Sequence, residues 1–274
     1  MRAALSIGLP GTTDAAILRA LAPRLERLGL DALWLNDVPG GDSLAGLRAV
    51  AEVTERLGLA TGVIPLDRRP VEKLDLAGIP AERTTIGIGS GGARHPLGLV
   101  ADGIAALRAR TDAAIAVGAL GPRMRRLAAR QADAVVLNWL TPTAAAHAMA
   151  DLRRDAGDRA DAPRGVVYVR TIVDGAARAA LQREADRYGS IASYAANFAR
   201  LGVSPIDATI DRGSTLAAYD VVDEVVLRAI TVGGTLEELE QFAEEAARWR
   251  SAATPSEGWH PTEPRLRGRW KRGP

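Results

Sequence analysis

The sequence predicts an α/β protein folded as one (β/α)8 TIM barrel, and three observations carry that prediction. Short, nearly continuous aliphatic runs recur eight times, as expected of parallel strands covered on both faces. Stretches with apolar residues at helical spacing separate them. Four of the runs end in polar, glycine-marked corners, at residues 32–41, 62–67, 87–92 and 117–122. A barrel gathers its chemistry at such C-terminal strand ends, and a single barrel typically takes about 250 residues. The chain has 274. An open doubly wound sheet is the rival, but the first turn offers only Gly8 and Gly11 and lacks a dinucleotide fingerprint.

The elements follow in order. Residues 3–7 form the first strand, and Pro10, Gly11 and Asp14 turn and cap the next element. Ile17, Leu18, Leu21, Leu25 and Leu28 then recur at helical spacing until Gly29. The second strand is 32–36, and Asp42 or Ser43 caps a helix expected to reach Leu57. Residues 60–64 form the third strand, and the connection 65–83 has room only for a short helix at 71–74. Strand four is 84–88 with a helix over 97–109. Strand five is 113–117, with a helix over 122–132 that Pro122 suits at its first position. Strand six, 134–138, precedes a helix over 143–156. Strand seven, 165–173, precedes two helices at 176–188 and 191–201. Strand eight is 222–228, closed by a helix over 235–250.

Bulk composition narrows the function classes. With 47% hydrophobic and 25% charged residues, the chain is ordinary for a globular protein with a large core. Cysteine is absent, which excludes disulfides, thiolate metal sites and cysteine nucleophiles. Residues 1–10 are too short and too broken for a secretory signal, and no apolar run approaches the ~20 residues of a membrane span. A cytoplasmic protein with no membrane or nucleic-acid partner is expected. Arg265, Arg267, Arg269, Lys271 and Arg272 face only Glu263 near the C-terminus, while the whole chain carries only +2. The barrel is therefore placed at 1–250 and a basic, extended tail at 251–274. His95, His147 and His260 share no ligand spacing, so no metal site is expected. Neither a phosphate-loop nor a nucleophile-elbow motif is present.

Several segments together resemble a known family. They are LDALWLNDVP at 30–39, LATGVIPLD at 59–67, IGIGSG at 86–91, VGALGPRM at 117–124, ADAVVLNW at 132–139 and ITVGG at 230–234. In that order they are similar to the bacterial luciferase-like monooxygenase superfamily over roughly residues 1–250. The resemblance implies a barrel binding FMN or coenzyme F420 at its mouth. It also implies hydride transfer to or from, or monooxygenation of, a small organic substrate. The coenzyme would carry the redox chemistry. Dimerisation through barrel helices occurs in the family and is possible here.

Site residues follow from the resemblance. Asp37 is the candidate catalytic residue, with a turn role as the alternative. Many relatives carry histidine next, but this chain has Val38, which moves no proton. Gly62, Val63 and Ile64 would support the coenzyme ring through a bulge with a cis Gly62–Val63 bond. Gly89, Ser90 and Gly91 would line the ring or ribityl chain. Gly118, Ala119, Leu120 and Gly121, with Arg123 at a helix N-terminus, would hold a phosphate. Asn138 would offer an amide and Trp139 a stacking surface, or Trp139 would simply pack in the core. His95 could serve as an acid or tail contact, or merely cap a helix. Tyr188, Tyr194, Asn197, Phe198 and Tyr219, within 174–221, could form a lid. A non-catalytic coenzyme-binding or regulatory barrel is the alternative function, and a non-redox lyase or isomerase using phosphate subsites a third.

Overall fold

A computed structural model describes residues 1–253. The chain alternates strand and helix: β1 (Ala4–Pro10), α1 (Ala15–Arg27), β2 (Ala32–Asn36), α2 (Ser43–Ala51), β3 (Gly58–Thr61) and β4 (Ile64–Pro65). There follow β5 (Thr84–Gly89), α3 (Pro96–Arg108), β6 (Ala114–Gly118), α4 (Pro122–Gln131), β7 (Ala134–Asn138) and α5 (Pro142–Ala156). The last third contains β8 (Arg164–Thr171), α6 (Arg178–Gly189), α7 (Ala192–Leu201), β9 (Thr209–Ile210), β10 (Glu224–Ala229) and α8 (Leu236–Ala252). Every strand pairing is parallel, in the order β10-β1-β2-β3-β5-β6-β7-β8. The β10–β8 pairing, Glu224 opposite Val166 through Ala229 opposite Thr171, closes the ring. The barrel expected from the sequence is thus formed. The basic tail falls almost wholly outside the described residues.

Three features depart most from expectation. The third barrel strand is split: β3 pairs with β2 and β5, then the chain kinks at Gly62–Val63 before β4 rejoins β5. The Gly62–Val63 peptide bond is cis, as the resemblance implied. The helix expected to reach Leu57 stops at Ala51. There Glu26 takes the amides of Glu55, Arg56 and Leu57 into its carboxylate, while Arg83 binds the carbonyls of Ala51, Thr54 and Leu57. Side chains here provide the partners that another helical turn would have supplied. The two-residue β9 was not anticipated. It pairs with Arg170 and Thr171 of β8, beyond the end of β7.

Two apolar layers surround the barrel wall. Leu5, Ile7, Leu9, Leu33, Leu35, Ile86, Ile88, Ile115 and Val117 point outward into one continuous core with the helices. Alternate strand residues face inward, where Trp34, Ala60, Ala116, Val136, Val166, Tyr168 and Val226 cluster. The bottom of this interior is polar and fully engaged: Ser6 Oγ and Trp34 Nε1 donate to Glu224 at 2.6 and 2.7 Å, and Arg164 pairs with its other oxygen at 2.6 Å. Higher up, Tyr168 crosses the lumen. A Cβ on Gly8 would collide with its hydroxyl, so β1 requires glycine there.

Candidate active site at the barrel mouth

Tyr168 and Asn36 form the floor of the C-terminal mouth. The Tyr168 hydroxyl donates to Asn36 Oδ1 at 2.8 Å, and Asn36 Nδ2 donates to the Gly62 carbonyl. Burial pushes the Tyr168 phenol well above its usual range, so it remains a neutral donor. The Gly62–Val63 kink thereby stands directly on the floor. Ile64 and Thr61 turn into buried positions, whereas Val63 is half-buried and faces the lumen.

The glycine corners act first on the protein's own packing. A Cβ on Gly89 or Gly118 would stand 2.8 or 3.0 Å from the methyls of Val63, and one on Gly87 would stand 3.1 Å from them and 2.0 Å from the Thr61 carbonyl oxygen. Those glycines thus make room for Val63 at the centre of the mouth. Gly87 is held further by reciprocal bonds with Thr61 Oγ1, at 2.8 and 2.9 Å. Gly91 has φ +56°, and Asp67 occupies the space its side chain would take while accepting the Gly92 amide at 2.8 Å. Ser90 is half-buried beside them.

Asp37 is buried at the end of β2 and already committed. Its Oδ2 accepts from Ser43 Oγ at 2.8 Å and from Arg69, which also reaches Asp42 at 3.1 Å. The carboxylate expected to do chemistry thus ties the β2 corner to the segment after β4. Val38 beside it is half-buried.

The β6 corner behaves differently. The Ala119 amide continues the sheet to Val136 O at 3.0 Å, Leu120 is half-buried, and Gly121 stands at the helix cap without a side-chain hydrogen bond. Pro122 has no N–H, so the amides of Arg123 and Met124 are the open donors of the first turn of α4. The start of α3 lies alongside, with His95 at its cap, exposed and making no side-chain cap bond. A cleft of about 430 Å³ lies between these two helix starts, lined by Pro96, Leu97, Gly121, Pro122, Arg123 and Met124. Arg123 is exposed and forms no ion pair among the described residues.

Across the mouth, β7 and β8 supply an arginine-centred wall. Arg170, 2% exposed, donates to Asn138 Oδ1 and stacks between Trp139 and Tyr188, 4.2 and 4.5 Å from the ring centroids. Asn138 also reaches the Tyr194 hydroxyl at 3.5 Å. Trp139 is fully buried with φ +55°, edge-on to Phe198. Its stacking partner is therefore Arg170, the core role among the two expected for it. Tyr188, Tyr194 and Phe198 join it in one aromatic cluster on α6 and α7, beside the mouth, while Tyr219 is buried on Leu140 O at 2.8 Å. Arg170 and Arg228 were not singled out in the sequence. A charged residue near the C-terminal end of an aliphatic strand was the signal available for both.

A closed parallel barrel with glycine-marked, arginine-walled strand ends and an open helix-terminal cleft defines a (β/α)8 barrel of the α/β class. The sequence profile of the luciferase-like monooxygenase family matches residues 5–117, from β1 to β6, and the chain resembles that family. A search of curated proteins by sequence gives no significant match. Among solved structures, an F420-dependent secondary alcohol dehydrogenase with an F420–acetone adduct aligns at TM-score 0.65 and 11% identity, over 90% of this chain and 100% of that one. A monooxygenase from Streptomyces bottropensis aligns at 0.64 and 18%, over 91% and 99%. The FMN-bound oxygenating constituent of 3,6-diketocamphane monooxygenase from Pseudomonas putida aligns at 0.57 and 13%, over 90% and 98%. At these identities the likeness is one of fold.

Proposed function

We propose that the protein is a luciferase-like oxidoreductase that binds F420 or FMN in the barrel mouth and acts on a small organic substrate. The single observation that carries the reading is the cleft between the starts of α3 and α4, where the open amides of α4 and Arg123 fit a phosphate. The family resemblance over β1–β6 and the structural neighbours named above support it.

In this reading Gly118, Ala119, Leu120, Gly121 and Arg123 hold the coenzyme phosphate. Gly62, Val63 and Ile64, with Gly89, Ser90, Gly91 and Asn138, would hold its ring. When bound, the coenzyme supplies the hydride or oxygen chemistry. The chain's own residues bind, orient and exclude water. Tyr168 keeps its proton and fixes Asn36. Asp37 positions Arg69 at the rim rather than standing free as an acid. Aromatic residues of α6 and α7 shelter one side of the mouth. The cytoplasm and a homodimer belong to the same reading; light scattering after size exclusion tests the latter.

No observation favours the non-catalytic barrel or the non-redox lyase. Fluorescence titration of the purified protein with F420 and with FMN tests the proposal. Saturable quenching by one of them is expected, weakened roughly tenfold by Arg123→Gln, the worth of one charge-assisted contact. Absence of binding by both coenzymes sinks it.

A further inference from the structure

Arg228 stands at the C-terminal end of β10 on the lumen side, in register with Gly8 of β1 and Arg170 of β8. It lines a cleft of about 210 Å³ at the mouth, shared with Pro10, Thr13, Thr231 and Gly234. Its Nη1 donates to the neighbouring Ala229 carbonyl, and among the described residues it forms no ion pair. The titratable groups that act on it most are Tyr168, Arg170, Glu184 and Tyr188, among them one further cation and one carboxylate.

That carboxylate is already in use. Glu184 lies 2.6 Å from Arg187 and 3.6 Å from Arg170, and Arg170 is further held by Asn138 and two aromatic rings. Arg228 thus shares with Arg123, across the mouth, the lack of an ion-pair partner among the described residues, and of the two it is the one on the lumen side of a strand. Desolvation depresses its pKa, yet a guanidinium stays protonated near neutrality. A half-buried cation without an ion-pair partner is favoured by an anion that meets it. The planar fork suits an oxyanion with two oxygens.

We propose that Arg228 determines substrate specificity by binding an anionic group, a carboxylate, sulfonate or phosphate, on the substrate. The word substrate rests on the oxidoreductase reading; the anion site does not. The coenzyme is the other source of an anion, but its phosphate is assigned to the cleft beside β5 and β6. In the closed ring β5 is four strands from β10 in either direction, on the opposite wall.

Calorimetric titration of the full chain with sodium sulfate at low ionic strength tests this, with dimethyl sulfone as the neutral counterpart. Wild type and Arg123→Gln are expected to bind sulfate and not the sulfone. Arg228→Gln should weaken sulfate roughly tenfold or more, and Arg228→Lys by less, since a point charge replaces the fork. Equal sulfate binding by wild type and Arg228→Gln overturns the proposal. Should circular dichroism show that Arg228→Gln does not fold, Arg228→Lys carries the comparison, and undiminished affinity overturns it likewise. F420 and FMN titrations run alongside. Unchanged coenzyme affinity in the variant is expected, whereas a parallel loss would assign the anion to the coenzyme and overturn the substrate role. If wild type binds neither coenzyme but its sulfate binding still depends on Arg228, the oxidoreductase reading fails and the anion site stands.

Discussion

At the residue scale, the mouth depends on what small side chains leave room for. Gly8 is the clearest case, because any Cβ there meets the Tyr168 hydroxyl. Gly8→Ala is expected to displace Tyr168 from Asn36 and cost about 1–3 kcal/mol, the usual range for overpacking, read as a lower urea midpoint. Asp37 gives a second prediction. Removing its charge leaves Arg69 and Ser43 without their shared acceptor. Asp37→Asn should therefore cost about 2 kcal/mol of stability while leaving coenzyme affinity unchanged. A large loss of affinity at unchanged stability would instead make Asp37 a ligand-contacting group. The acid was visible in the sequence as a strand-end residue. Its commitment to Arg69 was not, because that partner arrives from another connection, 32 residues on.

At the element scale, most strands were legible because an interior strand of a parallel barrel is apolar on both faces. The helices were legible from their caps. Thr235 and Glu238 form a reciprocal capping box at α8, and Thr235→Ala is expected to lower stability by about 1 kcal/mol. Glu238 adds a pH signature. Its carboxylate accepts the amides of Thr235 and Gly233, and these bonds hold its pKa below the usual value. The folded pKa being the lower one, its contribution is complete above the unfolded value and fades as pH falls through the folded value. The difference in melting temperature between wild type and Glu238→Ala should thus be present at pH 7 and shrink at pH 3. What stayed hidden was which alternate residues of each strand face the lumen. An aliphatic run with both faces covered carries no polar phase to mark the inside, so Arg170 and Arg228 passed as ordinary strand positions. The cis bulge at Gly62–Val63 was implied by the family likeness, but not that it would divide the third strand in two, and β9 was too short to leave a periodic trace.

At the scale of the whole molecule, the wall is a closed ring, and β10 completes it by pairing with β1 on one side and β8 on the other. It also brings Glu224, the shared acceptor of Ser6, Trp34 and Arg164. Removing residues 224 onward should therefore abolish the monomeric fold rather than trim it, and size exclusion should show aggregate or no soluble protein. The same closure sets an order of events during synthesis. Of the barrel strands described, β1 leaves the ribosome first and waits for β10, which leaves last. At about 5–20 residues per second, that wait is about 10–40 s. Throughout it, the outer edge of β1 stays open to any passing strand. Arrested chains ending before residue 224 are expected to be digested by protease where the finished chain resists. A chaperone, or rapid translation, is thus expected to raise the yield of folded protein by keeping β1 unclaimed until β10 arrives.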